Sequence, residues 1–517
     1  MGRALIRLGK VKRVFAVMLA VALPTAVLVT LAALREAERQ PRNVVLITVD
    51  TLRADRLSAY GYQGARTGAI DRLAREGVIF SRSYCDMPWT TGSMASVMTG
   101  KYGPGHGVLF PWQRLSNENV TLAEELASAG FDTGAVVGSF PVAAVYGLNQ
   151  GFAHYDDHFT TPFYLGSNNA EGVSEVEPVE VLLSGSVEEL RETFDRKMHG
   201  DAFRPDLDVS AQAVRWLEQR GEERFFLWVH FFGPHERIYT DRGRQRQRIV
   251  DDYDWDLFRS DEAVRRVLDK LDKLGLSERT LTVFHSDHGQ SLAEHGLIGH
   301  GRDLFEPSMR IPFILRHEGS IKKGGRVDTI VRNIDIAPTV LDYMGLDIPA
   351  SMQGRSLRGV IEGGPDVDHP AFMEVALTPA VPVRGPGGEE IFGTTGVVGA
   401  TMGGLKYVRT RFAGSCVKDS PDYSMGKFGI NPILPLGGTP IPAEECEGYV
   451  FEALYETAAG EDQLFAAEID DVSASYPEEL ARLRDFTDSV IASRTGAEEF
   501  ELSEEEESKL KSLGYLE

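Results

Sequence analysis

Asp50, Thr90, His235, Asp287, His288 and His300 are the residues whose types and surroundings could do chemistry. Asp50 ends an apolar run, Asn43–Val49, and Asp287 and His288 follow another, Leu281–Phe284. Open α/β sheets build their sites at the carboxyl ends of such strands. Together the three offer oxygen and nitrogen ligands for one divalent cation. Thr90 is a candidate fourth ligand, because coordination lowers a hydroxyl's pKa and makes it a nucleophile at neutral pH. His235 in HFFGPH and His300 in EHGLIGHG could bind an ester's oxygens or protonate its leaving group.

Each residue also has a plainer reading. Asp50 could simply close a turn, and a single histidine is more often structural than catalytic. In Cys85–Gly100, Met94, Val97 and Met98 recur at helical spacing, and Gly100 stands where a helix stops. That spacing puts Thr90 at the helix N-terminus, where it could be only an N-cap. The same place is rich in unpaired N–H groups and favours anions.

The elements that must position these residues alternate between strand and helix, the pattern of an α/β fold. Helices are expected over Ala69–Arg75, from the Thr121/Glu124 capping box to Gly130, over Val209–Gln219 and over Asp251–Leu274. Strands are expected over Val78–Phe80, Phe131–Val137 and Phe225–Val229. Thr160–Gly200 breaks the pattern and reads as a surface insertion. From about Pro370 the composition turns to Gly and Pro, with a hairpin expected around Gly403-Gly404. Ser503 and Glu506 suggest a capping box for a last short helix in an acidic tail.

With 517 residues the chain can hold more than one domain. A net charge of −23 argues against a general nucleic-acid binder, which needs clustered cations. Three cysteines are too few for a disulfide scaffold, although Cys416 and Cys446 could pair in an oxidising compartment. Arg3, Arg7, Lys10, Lys12 and Arg13 precede an uncharged run, Val14–Leu34. That run meets the roughly 20 residues a bilayer span takes. The basic flank predicts an inner-membrane anchor with the rest of the chain exported to the periplasm or outside. The alternative is a cleaved signal peptide and a secreted protein.

Five ordered blocks carry a family resemblance: VVLITVDTLRADRLSAYGY, TTGSMASVMTGKYGPGHGV, FFLWVHFFGPH, FHSDHGQSLAEHGLIGHG and MQGRSL. They resemble the sulfatase branch of the alkaline phosphatase superfamily. The resemblance implies a doubly wound, mostly parallel α/β sheet and a smaller C-terminal subdomain with a four-stranded antiparallel sheet. It also implies a metal at Asp50, Asp287 and His288 and a nucleophile at Thr90. The expected organisation is a cytoplasmic segment 1–13, an anchor or signal 14–34, a catalytic domain 43–365, a subdomain 366–475 and an acidic helical tail 476–517.

The departures from the family pattern bear on activity. Sulfatases carry Cys or Ser in a C/S-x-P-x-R motif and oxidise it to formylglycine. Here those positions read Thr90-Thr91-Gly92-Ser93-Met94. Threonine is a secondary alcohol, and its oxidation would give a ketone. Cys85 is no substitute, because its proline, Pro88, is one position too far. Thr51 replaces the usual second aspartate of the first block. The expectation is a metal-dependent hydrolase of small anionic phosphate mono- or diesters, working through a covalent Thr90 intermediate. The alternatives are a membrane-anchored phosphoryl transferase, a true sulfatase and an inactive binding protein. Mixed carboxylate and imidazole ligands favour Zn or Mn over Ca or Mg.

Overall fold

The structure is a computed structural model. It describes residues 40–162, 201–235, 246–378, 390–418, 450–457 and 471–495, the strand pieces 383–384, 439–441 and 498–499, and Ser503, apart from positions 111–112, 222, 293, 295–297 and 366. The Val14–Leu34 run, most of the Thr160–Gly200 insertion, Cys446, the Cys416 side chain and Glu506 lie outside the described residues or side chains. Among the described residues no helix is long and apolar enough to cross a membrane.

A large mixed sheet forms the first layer system. Its strands are β1 (Asn43–Val49), β2 (Val78–Tyr84), β3 (Asp132–Val137), β4 (His154–Asp156), β5 (Phe225–Phe231), β6 (Thr280–His285), β7 (Arg310–Ile311), β8 (Phe313–Arg316) and β9 (Gly325–Arg332). The central order is β2-β8-β6-β1-β5-β3-β4, with β7 and β9 also on β2. β1 pairs in parallel with both β5 and β6, and β3 in parallel with β5. β8 runs antiparallel to its neighbours.

The apolar run of β1 is explained by burial on both faces, as parallel sheets require. Val44 and Leu46 face one core cluster, while Val45, Ile47 and Val49 face another. All five are fully buried, each stabilising the fold by roughly 1.5–3 kcal/mol. The first cluster is closed by helices α2 (Thr90–Thr99), α3 (Leu122–Ser128) and α6 (Ile336–Tyr343). The second is closed by α1 (Gly68–Glu76), α4 (Asp206–Glu218) and α5 (Arg246–Lys273). The α3 capping box forms as expected, with Glu124 N donating to Thr121 Oγ1 and Thr121 N to the Glu124 carboxylate.

The second sheet is antiparallel, and among the described residues it has six strands rather than four: β10 (Ala371–Thr378), β11 (Val383–Arg384), β12 (Glu390–Met402), β13 (Leu405–Lys418), β14 (Thr439–Ile441) and β15 (Val450–Glu456). The long pair β12–β13 turns at Gly403-Gly404, both with positive φ, which the two-residue connection demands. Helix α7 (Pro477–Ile491), at the start of the acidic tail, lays Leu483 against Ala400, Tyr407 and Leu454 of this sheet.

Candidate metal centre

Three neighbouring strands deliver the site. Thr48 of β1 lies level with His230 of β5 and His285 of β6. The chains therefore leave the sheet side by side, β1 into Asp50, β6 into Asp287 and His288, and β5 into His235. The second ligand-bearing loop is stitched to the first. Thr51 N donates to Asp287 Oδ1 at 3.2 Å, and Leu52 N donates to Ser286 Oγ at 2.9 Å.

Asp50, Asp287 and His288 are buried and converge, with one ligand atom from each lying within 4.8 Å of the others. Asp287 Oδ2 is 3.4 Å, and Asp50 Oδ1 3.7 Å, from His288 Nε2. His288 Nδ1 lies 2.9 Å from the Gly289 carbonyl, which can only accept, so Nδ1 carries the proton. Nε2 then presents a lone pair to two carboxylates. Asp50 Oδ1 and Asp287 Oδ2 are buried with no hydrogen-bond partner. Three electron-rich atoms facing one point, two of them orphaned, fit a divalent cation. Burial, and next the Asp287 charge, hold the Asp50 carboxyl well above the usual range. A cation would reverse that balance.

Thr90 is where the sequence puts it, but its role in the helix differs. Trp89 is the N-cap and Thr90 the first helical residue, with no side-chain cap. Its hydroxyl faces the site, 3.4 Å from Asp50 Oδ2 and 3.3 Å from His288 Nε2. The helix is wholly buried, including Met94 at the arginine position of the family motif, which sits in the apolar cluster. Gly92, at the proline position, has no room for a side chain: a Cβ would stand 2.4 Å from Met87 Sδ and 2.7 Å from the Trp89 ring.

His235 and His300 join the same site. Their Nε2 atoms are 2.9 Å apart, and the His300 ring centroid is 4.4 Å from that of His288. Burial pushes His235 down to about 3 and His300 well below its ordinary value, with neighbouring imidazoles adding in the same direction.

Sequence reasoning missed His230. It is fully buried, its Nε2 lies 3.9 Å from Asp50 Oδ2, and neither ring nitrogen has a hydrogen-bond partner. The available signal was its place near the end of β5, level with Thr48. His285 is structural: its Nε2 accepts from Thr48 Oγ1 at 2.9 Å while Nδ1 donates to the Ser286 carbonyl. Helix α2 is also braced from behind. Ser93 Oγ donates to the Asp287 carbonyl at 2.6 Å, and Asn333 Nδ2 donates to both Ser93 Oγ and Asp86 Oδ1.

Known proteins show the same fold and sequence pattern. An arylsulfatase of Hemicentrotus pulcherrimus is 27% identical over 365 residues, a match that spans 64% of this chain and 64% of that protein's length. Among solved structures, a 2-O GAG sulfatase superposes with a TM-score of 0.61 at 18% identity, covering 89% of this chain and 95% of its own. The phosphonate monoester hydrolase of Agrobacterium radiobacter superposes at 0.58 with 18% identity, covering 90% and 100%. The Sulfatase family model matches residues 42–346, more than half of the chain and every residue of the site, so the chain belongs to the sulfatase family.

Proposed function

We propose that this protein is a metal-dependent hydrolase of phosphoryl esters, phosphate mono- or diesters, acting through a covalent Thr90 intermediate. The observation that carries the reading is the Thr90 hydroxyl, buried at a helix N-terminus within 3.4 Å of Asp50 and 3.3 Å of His288. The uncharged Val14–Leu34 run behind basic residues supports an exported, membrane-anchored enzyme.

Asp50, Asp287, His288 and Thr90 would hold the cation, and this mixed oxygen and nitrogen set suits Zn or Mn. When bound, it would neutralise the anionic ester and lower the Thr90 pKa. Having passed its proton to the His235–His300 pair, the Thr90 oxygen forms a bond to phosphorus as the bond to the leaving alcohol breaks in line. Donors at the first turn of α2 face the charge that develops on the phosphoryl oxygens. The leaving oxygen takes a proton from the His235–His300 pair. Water, giving a proton back to that pair, then displaces Thr90 from phosphorus.

A sulfatase mechanism needs an aldehyde hydrate, which threonine cannot furnish. A phosphoryl-enzyme needs only water for its release. The structural likeness to a phosphonate monoester hydrolase is in keeping with phosphorus as the reacting atom.

The test is turnover of aryl phosphate, bis-aryl phosphate, aryl phosphonate and aryl sulfate by the wild type and by Thr90→Ala. Phosphoryl substrates should be preferred, and acid quench should trap phosphate on the Thr90 peptide. Thr90→Ala should abolish turnover and change stability by only about 1 kcal/mol, since the hydroxyl caps nothing. Preference for the sulfate ester, or full turnover by Thr90→Ala, would overturn the reading.

A further inference from the structure

Thr51 is the one non-glycine residue with positive φ among the described residues, at 55°. A β-branched residue in the left-handed region is an outlier that persists only when its surroundings hold it there. The turn it makes aims Thr51 N at Asp287 Oδ1, 3.2 Å away. That hydrogen bond, with one from His288 N at 2.8 Å, fixes the Asp287 carboxylate so that Oδ2 is the oxygen left facing the site.

What holds the turn comes from the other side of the sheet. Tyr253 on α5 is fully buried, and its hydroxyl donates to the Thr51 carbonyl at 2.9 Å. The same oxygen accepts from Arg53 N, also at 2.9 Å. One phenol thus clamps both ends of the strained residue's neighbourhood. Thr51 Oγ1 is turned away from the metal ligands and donates to the Asp50 carbonyl at 2.8 Å. Its side chain contributes no ligand atom here; its backbone orients one.

We propose that Tyr253 is a positioning residue of the metal centre, holding Thr51 in its left-handed turn so that Asp287 presents Oδ2 to the cation. The inference rests on Asp50, Asp287, His288 and Thr90 being the metal ligands. Groups that orient metal ligands matter to affinity, and their loss weakens binding by about 10- to 100-fold. Tyr253→Phe removes only the hydroxyl and keeps the ring in its apolar packing.

The experiment titrates Mn2+ and Zn2+ into metal-stripped full-length protein by calorimetry, with a thermal melt for each variant. Tyr60→Phe is the control. Its hydroxyl also bridges backbone atoms, accepting from Phe313 N and donating to Phe313 O, but away from the ligands. Tyr253→Phe should raise the metal Kd about tenfold or more, while Tyr60→Phe leaves it within about twofold. Thr51→Gly in the Tyr253→Phe background should recover part of the affinity, because glycine takes the left-handed turn without strain. If Tyr253→Phe does not fold, the double variant is compared with Thr51→Gly alone and should still bind more weakly. A Kd within about twofold of the reference, or an equal loss in Tyr60→Phe, overturns the inference. A wild type that takes up neither ion overturns the metal assignment itself, and the inference falls with it.

Discussion

His235 Nε2 and His300 Nε2 face each other at 2.9 Å. Only one of them can carry the proton between them. His300 Nδ1 is 3.2 Å from the Pro88 carbonyl, which accepts and so fixes the His300 proton on Nδ1. His300 Nε2 is then a lone pair, and His235 Nε2–H is the donor. In the proposed reaction this pair, once it has taken up the proton lost by Thr90, passes it to the departing oxygen and takes another from the attacking water. Pro88 lies just before helix α2, so the segment that leads into Thr90 also fixes the tautomer of His300.

That arrangement predicts a dependence on the leaving group. Loss of the proton donor should matter little when the departing alcohol is a stable anion, such as p-nitrophenolate. It should matter greatly for an alkyl alcohol. His235→Ala should therefore lower kcat by about 100-fold or more on an alkyl phosphoryl ester, within the usual range for acid–base catalysis, and far less on the p-nitrophenyl ester. Steady-state rates on a leaving-group series give the slope. An equal loss on every substrate would assign His235 to binding alone.

The strands that build the site were legible because β1, β5 and β6 are buried on both faces and so read as unbroken apolar runs. Asp50, Asp287 and His288 follow from those runs directly. The rest was hidden for identifiable reasons. β2 continues to Tyr84 through Ser81, Arg82 and Ser83, and Ser81 and Arg82 find their partners far along the chain, at Asp328 and Asp368. No local pattern announces them. Thr90 has the composition of a cap, and only the tertiary position of Asp50 and His288 turns its hydroxyl to the site. Met94 reads as a lost arginine in the motif, yet in the fold it is an ordinary core residue. Tyr253 acts on a residue some two hundred positions earlier in the chain, which no spacing within one sequence reveals.

Acid should destabilise the fold through histidines buried in neutral form. His106 is the clearest case, since it stands outside the ligand set. Val108 N donates to its Nδ1 at 3.1 Å, and Nε2 lies 2.8 Å from Ser96 Oγ. Burial, with a smaller effect of Lys101, pushes it down to about 3. The unfolded chain takes up a proton near pH 6.5, whereas the folded chain refuses it until far lower. Between these values the unfolded state binds more protons, so stability is complete above about pH 6.5 and is lost as pH falls towards 3. One such group contributes a slope of about 1.4 kcal/mol per pH unit. Urea unfolding between pH 6 and 4 should show a shallower slope in His106→Gln by about one proton. Identical slopes would mean that His106 is charged in the folded state.

A buried ion pair ties the second sheet to the segment that follows His300. Lys406 Nζ of β13 lies 2.8 Å from Glu306 Oε1 as an ion pair, and both side chains are 1% exposed. The same ammonium donates to the Leu304 carbonyl at 2.7 Å, while Tyr84 OH holds the other Glu306 oxygen at 3.1 Å. Leu304 and Glu306 follow His300 closely, so Lys406 steadies the segment on which the histidine pair depends. Lys406→Met would leave a carboxylate buried without its cation, at a cost of about 3–5 kcal/mol. Lys406→Met with Glu306→Gln removes both charges and should cost clearly less than the single change, because an unmatched charge is worse than none. Denaturant unfolding of the wild type, the two single variants and the double variant measures the coupling. If the pair also steadies His300, kcat should fall in Lys406→Met under conditions where it is fully folded, and should partly recover in the double variant. Additive stability losses would show that the two charges act independently and that the second sheet does not brace the segment after His300 through them.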